Sequence, residues 1–240
     1  MTITVGTDTY CSMVDADAYH EKFGNSTWTT YRKEISSIVT HVDGILITTK
    51  TAHGLVAGDP SILDGTTNYD GDVTAVTVVS TTQITVDAAW IADETSGVVM
   101  LESDYTSREI ALRSATQWID VTHKDRMAGS VTDETQSLQY PRDGIYDDKG
   151  EEIADTDIPV AIQDATCEIA LLSVDSTELY HTTSSSDSSQ ITEEKIGPIT
   201  TKYFINDARV GQQPMFFKIE SMMSALMVQG YSGNCRLVRS

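Results

Sequence analysis

The run from Gln139 to Pro159, QYPRDGIYDDKGEEIADTDIP, concentrates Asp143, Asp147, Asp148, Glu151, Glu152, Asp155 and Asp157 in one short reach. Carboxylates gathered this way can hold a hard cation such as Ca²⁺ or Mg²⁺. An EF-hand loop is the strictest test, with oxygen ligands at positions 1, 3 and 5, glycine at 6 and glutamate at 12. With Gly150 as the sixth residue, those places hold Ile145, Asp147, Lys149 and Thr156; with Gly144, the first three hold Gln139, Pro141 and Asp143. Neither register supplies the ligands. Turn and capping chemistry accounts for the same residues. Pro141 favours an extended Tyr140, Asp143-Gly144 and Lys149-Gly150 read as turns, and Asp155 and Asp157 lie where they would feed and cap a following helix. Arg142 is expected to pair with its acidic neighbours.

Other reactive side chains are scattered. The five histidines, His20, His41, His53, His123 and His181, form no H-x-x-x-H pattern. His41 and His53 share a β-rich stretch, where a two-histidine site competes with the simpler reading that His53 stabilises its own turn. Cys11, Cys167 and Cys235 are odd in number and far apart, so a zinc ribbon is excluded and reduced thiols are the expectation. There is no G-x-S-x-G, no P-loop and no dinucleotide-binding G-x-G-x-x-G. Carboxylate pairs for glycoside hydrolysis cannot be singled out among 36 acids. The expectation is a non-enzyme without metal or cofactor.

The net charge of −20, from 36 acidic and 16 basic residues, is the reverse of a duplex-binding surface. Acidity serves solubility, and it can also repel DNA from a channel wall so that it slides without sticking. The N-terminus lacks the basic and apolar regions of a signal peptide, and no run reaches the length of a membrane span. A soluble chain made in the cytoplasm is expected.

These residues need elements to position them. CSMVDADAYHEKFGN reads as a helix, with Ser12 and Asp15 as a capping box and Gly24 as its stop. Ala16, Tyr19, His20 and Phe23 share its inner face. STWTTYRKEI predicts a second, shorter helical piece. From residue 36 to 101 the sequence turns to Thr, Val, Ile and Gly, with GILITTKT, DVTAVTVVS, QITVDAAW and GVVML as strands. This predicts a small all-β barrel or sandwich of four to six strands, inserted into a helical domain. YTSREIALRSATQWIDVTHK predicts a helix with Thr106 as N-cap, Glu109 closing the box and Tyr105 and Ile110 as staple. IPVAIQDATCEIALLSVDSTELY predicts the longest helix, capped by Asp157 and buried along Ile162, Ala165, Ile169 and Leu172. Residues 181–190 read as a polar linker, ITEEKIGPITTKYFI as a hairpin or extended arm, and PMFFKIESMMSALMVQG as a last helix. That helix carries Met215, Met222, Met223 and Met227, either within the core or against a neighbouring subunit.

The order of these landmarks resembles a family of tailed-phage neck proteins, the head-to-tail adaptors or connectors beneath the portal. Some members carry the label DnaT-like single-stranded-DNA-binding protein. YCSMVDADAYHEKFG, ALRSATQWID, LQYPRDGIYDDKGEEIADTDIPVAIQDATCEIAL and EEKIGPITTKYF carry the likeness, over roughly 1–35 and 102–240. Its most characteristic run is matched by Tyr140, Pro141, Arg142, Ile158 and Pro159. The inserted unit at 36–101 departs from the pattern and is similar to small β modules of phage virions.

The resemblance implies an α+β protein. Its helical adaptor domain, of about four to five helices with a hairpin arm, would occupy 1–35 and 102–240 and be interrupted by the β unit at 36–101. It implies a homo-oligomeric ring, commonly of twelve copies, in the virion neck. Its partners would be the portal protein and a tail or second neck protein, with double-stranded DNA passing through an acidic channel without specific binding. A portal-docking tail would fall in 234–240 on Arg236, Leu237, Val238 and Arg239. An inter-subunit arm at 191–205 would use Ile191, Lys195, Ile196, Ile199, Tyr203 and Phe204. The alternative is a single-stranded nucleic-acid-binding accessory protein, which would need aromatic platforms interleaved with basic residues. A third, weaker option gives the β unit a sugar-stacking role through Trp90 and Tyr69.

Overall fold

The computed structural model describes residues 3–175, 177, 179, 217–228 and the backbone of 193–196 and 199–202. Helix α1 (Met13–Phe23) starts as its sequence dictates: the Ser12 hydroxyl accepts from the Asp15 N–H at 3.1 Å, and Gly24 closes it in the left-handed region at φ 67°. The second helix, α2 (Ser26–Thr29), is only one turn long. Lys33 already belongs to a strand, because the β-branched pattern after it wins over the helical one.

That strand opens a closed barrel of six antiparallel strands: β1 (Lys33–His41), β2 (Gly44–Thr49), β3 (Pro60–Asp64), β4 (Gly71–Ser80), β5 (Gln83–Val86) and β6 (Val98–Leu101). Their order around the barrel is β1-β2-β5-β4-β3-β6, with β6 pairing back onto β1. Ile35, Ile38, Ile45, Ile47, Leu63, Ile84, Val86 and Val99 fill the interior. On β2 the buried positions alternate strictly from Ile45 to Thr49, the period of two that a half-buried strand demands. The β1–β2 hairpin turns tightly at Gly44, where a Cβ would sit 2.3 Å from the Val86 carbonyl oxygen. Barrel closure leaves no edge strand in this sheet to template aggregation.

Helix α3 (Glu102–His123) follows β6 without a loop, and Leu101 is its N-cap residue. This corrects the expected start at Thr106, which lies inside the helix. Glu102 and Asp104 occupy the first turn instead, where carboxylates suit the helix dipole. Ile110, expected as a staple, is exposed. Helix α4 (Val160–Val174) begins after Pro159, and no side chain caps it. Asp157 is therefore not its cap; the proline simply leaves no N–H to satisfy at that position. Two short strands, β7 (Ser130–Val131) and β8 (Arg142–Asp143), pair with each other. Two further strands, β9 (Glu193–Ile196) and β10 (Ile199–Lys202), form the expected antiparallel hairpin. The last helix among the described residues, α5 (Phe217–Met223), continues into a 3-10 turn at Ser224–Leu226.

Helix α4 packs between α3 and α5, with α1 alongside. Trp28, Leu112, Trp118, Ile119, Ile162, Ile169 and Met223 form the centre of this core. Each such side chain contributes about 1.5–3 kcal/mol by leaving water. Strand β6 serves both cores. Val99 points into the barrel, while Val98 and Met100 join the helical cluster.

Candidate functional site

The Tyr140-Pro141-Arg142 landmark folds into a buried corner rather than an exposed loop. Its Tyr140-Pro141 peptide bond is cis. Tyr140 is fully buried, with its ring edge-on to Tyr10 at 5.9 Å. Arg142 was expected to meet carboxylates, but its ion-pair partners are absent among the described residues. It donates instead to backbone carbonyls, from Nε to Ala128 at 2.7 Å and from Nη2 to Gly129 at 2.8 Å, with Nη1 near the Gln139 carbonyl and side-chain oxygens. The reason is geometric: β8 pairs with β7, which lays residues 128–129 under the guanidinium while the acids of 147–157 turn outward. Gly129 permits this approach, since a Cβ there would lie 2.2 Å from the Asp143 carbonyl oxygen and its φ is 70°.

Behind the corner, the Tyr10 hydroxyl donates to Asp120, and the Gln139 N–H reaches both the Tyr10 hydroxyl at 3.0 Å and Asp120 at 3.2 Å. Burial raises the Asp120 carboxyl above the ordinary range, against the lowering effect of the Tyr10 hydrogen bond and of Arg142. Burial also pushes the Tyr140 phenol up to about 12. This set joins the N-terminal segment, α3 and the loop before β8. It holds structure together.

The acid-rich run behaves as turn chemistry. Asp147 Oδ1 accepts from the N–H groups of Lys149 at 2.9 Å and Glu151 at 2.8 Å, which lowers its carboxyl below the usual range. No cluster of three or more His, Cys, Asp or Glu suited to a metal ion occurs among the described residues. Ile158 packs against the helical core and Pro159 precedes α4. His53 stabilises its own turn, accepting from the Leu55 N–H at 3.0 Å and meeting the Ser80 carbonyl at 2.9 Å, while His41 accepts from Asp43 in its own hairpin. Tyr69 is buried, its hydroxyl tied to residues 91 and 92, whereas Trp90 is half exposed. Among the arm residues, the backbone of Lys195, Ile196 and Ile199 lies in the hairpin. Ile191, Tyr203, Phe204, the 181–190 stretch, and the tail residues Arg236, Leu237, Val238 and Arg239 lie outside the described residues, as do Pro214, Met215 and Gly230.

A second polar set binds α2 to its surroundings. Asp17 accepts from Trp28 Nε1 at 2.8 Å and Tyr31 at 3.1 Å, and pairs with Arg32 at 3.1 Å. Burial keeps its carboxyl above the ordinary range despite Arg32. Arg108 stacks 3.7 Å from the Tyr31 ring centre and donates to the carbonyls of Trp28 and Thr27. Three guanidiniums, those of Arg32, Arg108 and Arg142, are thus engaged within the fold.

The sequence pattern missed one surface feature. Phe23 was assigned to the inner face of α1, yet it is 55% exposed. Tyr19 lies beside it, and the Lys22 and Lys218 ammonium groups stand 5.4 and 6.0 Å from its ring. Phe217, adjacent to Lys218, is 80% exposed. Lys218 is itself tied to Glu168 at 2.5 Å. Only the adjacency of Lys22 and Phe23 hinted at this group; the arrival of α5 beside α1 is a product of tertiary packing.

Among comparisons with known proteins, no curated protein and no solved structure matches the chain. A family model described as "Putative DnaT-like ssDNA binding protein" matches residues 80–240, which take in β5, β6 and the helices α3, α4 and α5. With two thirds of its length so matched, the chain belongs to the DnaT-like family.

Proposed function

We propose that the chain is a non-enzymatic structural protein of a tailed-phage neck. Many copies form a ring that docks on the portal protein, meets a tail or second neck protein below, and leaves an acidic channel for passing double-stranded DNA. The observation that carries this reading is the disposition of charge. The guanidiniums of Arg32, Arg108 and Arg142 are held by carboxylates, carbonyls and ring faces, while Asp72, Asp87, Asp148 and Glu151 face solvent. A surface of that sign repels phosphate and lets DNA slide. The sequence landmarks and the β9–β10 hairpin, a suitable arm for a neighbouring subunit, support the same reading. Electron microscopy of the purified protein, alone and with portal protein, tests it: rings or co-assembly are expected. Failure to co-assemble, together with complete particles from a chain lacking residues 234–240, would sink it.

The family match favours a second reading, a single-stranded nucleic-acid-binding accessory protein. Phe23 between Lys22 and Lys218 is the feature suited to stacking a base beside cations. Titration with oligothymidylate at low salt separates the two. Saturable binding that weakens with salt, and falls roughly tenfold in Phe23→Ala, would favour this reading over the first.

A further inference from the structure

We propose that Cys11 and Cys167 are a redox-sensitive pair, oxidised to a single intramolecular disulfide that fastens the segment before α1 to the middle of α4. The two sulfur atoms lie 3.3 Å apart although their residues are 156 positions apart in the chain. Each residue is 1% exposed. Both are free thiols, and Cys11 Sγ also donates to the Ser12 carbonyl oxygen at 3.3 Å. A disulfide requires about 2.05 Å, so bond formation asks the sulfurs to close by roughly 1.3 Å. Neither thiol belongs to a metal cluster among the described residues, and neither enters the polar sets around Arg142 and Asp17.

The oxidant is a small-molecule disulfide of the glutathione type. When the N-terminal segment opens, one protein thiolate attacks the oxidant's S–S bond, forming a mixed disulfide and releasing one thiolate. The second protein thiol then loses its proton and attacks the mixed disulfide at the protein sulfur, and the second small thiol leaves. The protein gives up two electrons and two protons; the oxidant gains them as two thiols. The Cys167 thiol is held well above its ordinary range by the contact with Cys11 and by burial, so attack awaits local opening. Nothing in the spacing of the cysteines announces this pair, because only the packing of α1 on α4 brings them together.

The test uses the full chain in glutathione buffers of increasing oxidised fraction, followed by alkylation in denaturant and mass measurement. Three alkylated cysteines are expected in the reduced chain, which has three in its sequence, and one after oxidation. The peptide map should show a Cys11–Cys167 link, and Tm should rise by roughly 5–15 °C through the constraint on the unfolded chain. A Cys235→Ser chain should lose both remaining thiols together. Retention of all three thiols in the folded chain under sustained oxidation would overturn the proposal. So would a link through Cys235 or between chains.

Discussion

Arg142 shows how a residue singled out by its sequence motif can serve a structural purpose. Its guanidinium satisfies carbonyls at 128 and 129 that no strand or helix reaches. Arg142→Ala should cost about 2–4 kcal/mol in urea denaturation, because buried acceptors lose charge-assisted bonds. Arg142→Lys keeps the charge but not the planar fork and should recover less than half of that loss. The neighbouring Tyr140 behaves differently: its buried hydroxyl has no hydrogen-bond partner among the described residues. Tyr140→Phe should be neutral or stabilise by up to about 1 kcal/mol, measured in the same assay. His20 sets a pH dependence. Burial pushes its imidazole down from 6.5 to about 4, so between those values the unfolded chain holds the extra proton. The stability from keeping His20 neutral is complete above pH 6.5 and is lost as pH falls toward about 4. Asp17 and Asp120, held above their ordinary range, act in the opposite sense, so the contrast with His20→Gln isolates the histidine. Between pH 7 and 4 the parent chain should lose about 2–3 kcal/mol more than His20→Gln.

At the scale of elements, α5 is held among the described residues by a short list of buried side chains and two backbone hydrogen bonds. Ile219, Met223 and Leu226 are buried, and beyond them the Val228 N–H donates to the Arg126 carbonyl at 2.7 Å while the Ala128 N–H donates to Leu226 at 2.9 Å. Met223→Ala should cost about 2–5 kcal/mol, and hydrogen exchange should quicken first over residues 217–228. Much of this architecture was legible in sequence. The Ser12 cap, the Gly24 stop, the β-branched barrel strands and the pairing of β9 with β10 follow from local chemistry that tertiary context leaves alone. The start of α3 was not legible. The capping signal at Thr106 is genuine locally, but Leu101 is fixed by pairing of β6 with β3, and the helix begins where the strand ends. Phe23 was misplaced for a similar reason: periodicity reports which side of α1 is apolar, not how far α4 and α5 cover it. The partners of Arg142 depend on a β7–β8 pairing of two residues each, too short to leave a pattern.

For the whole molecule, the joint between barrel and helices decides behaviour. Val98 and Met100 lie in the helical core while Val99, between them, lies in the barrel. A chain with residues 36–97 replaced by a short Gly-Ser linker should therefore lose its sharp thermal transition. The intact chain should unfold in one step by both circular dichroism and tryptophan fluorescence. Two separated transitions would show the halves to be independent. The lack of any loop between β6 and α3 has a mechanical meaning as well. A flexible tether would absorb a pull on the barrel, but here the strand continues directly into a helix of 22 residues. The barrel is thus a handle fixed directly to α3: a pull on it from outside is expected to reach the helical core through that helix.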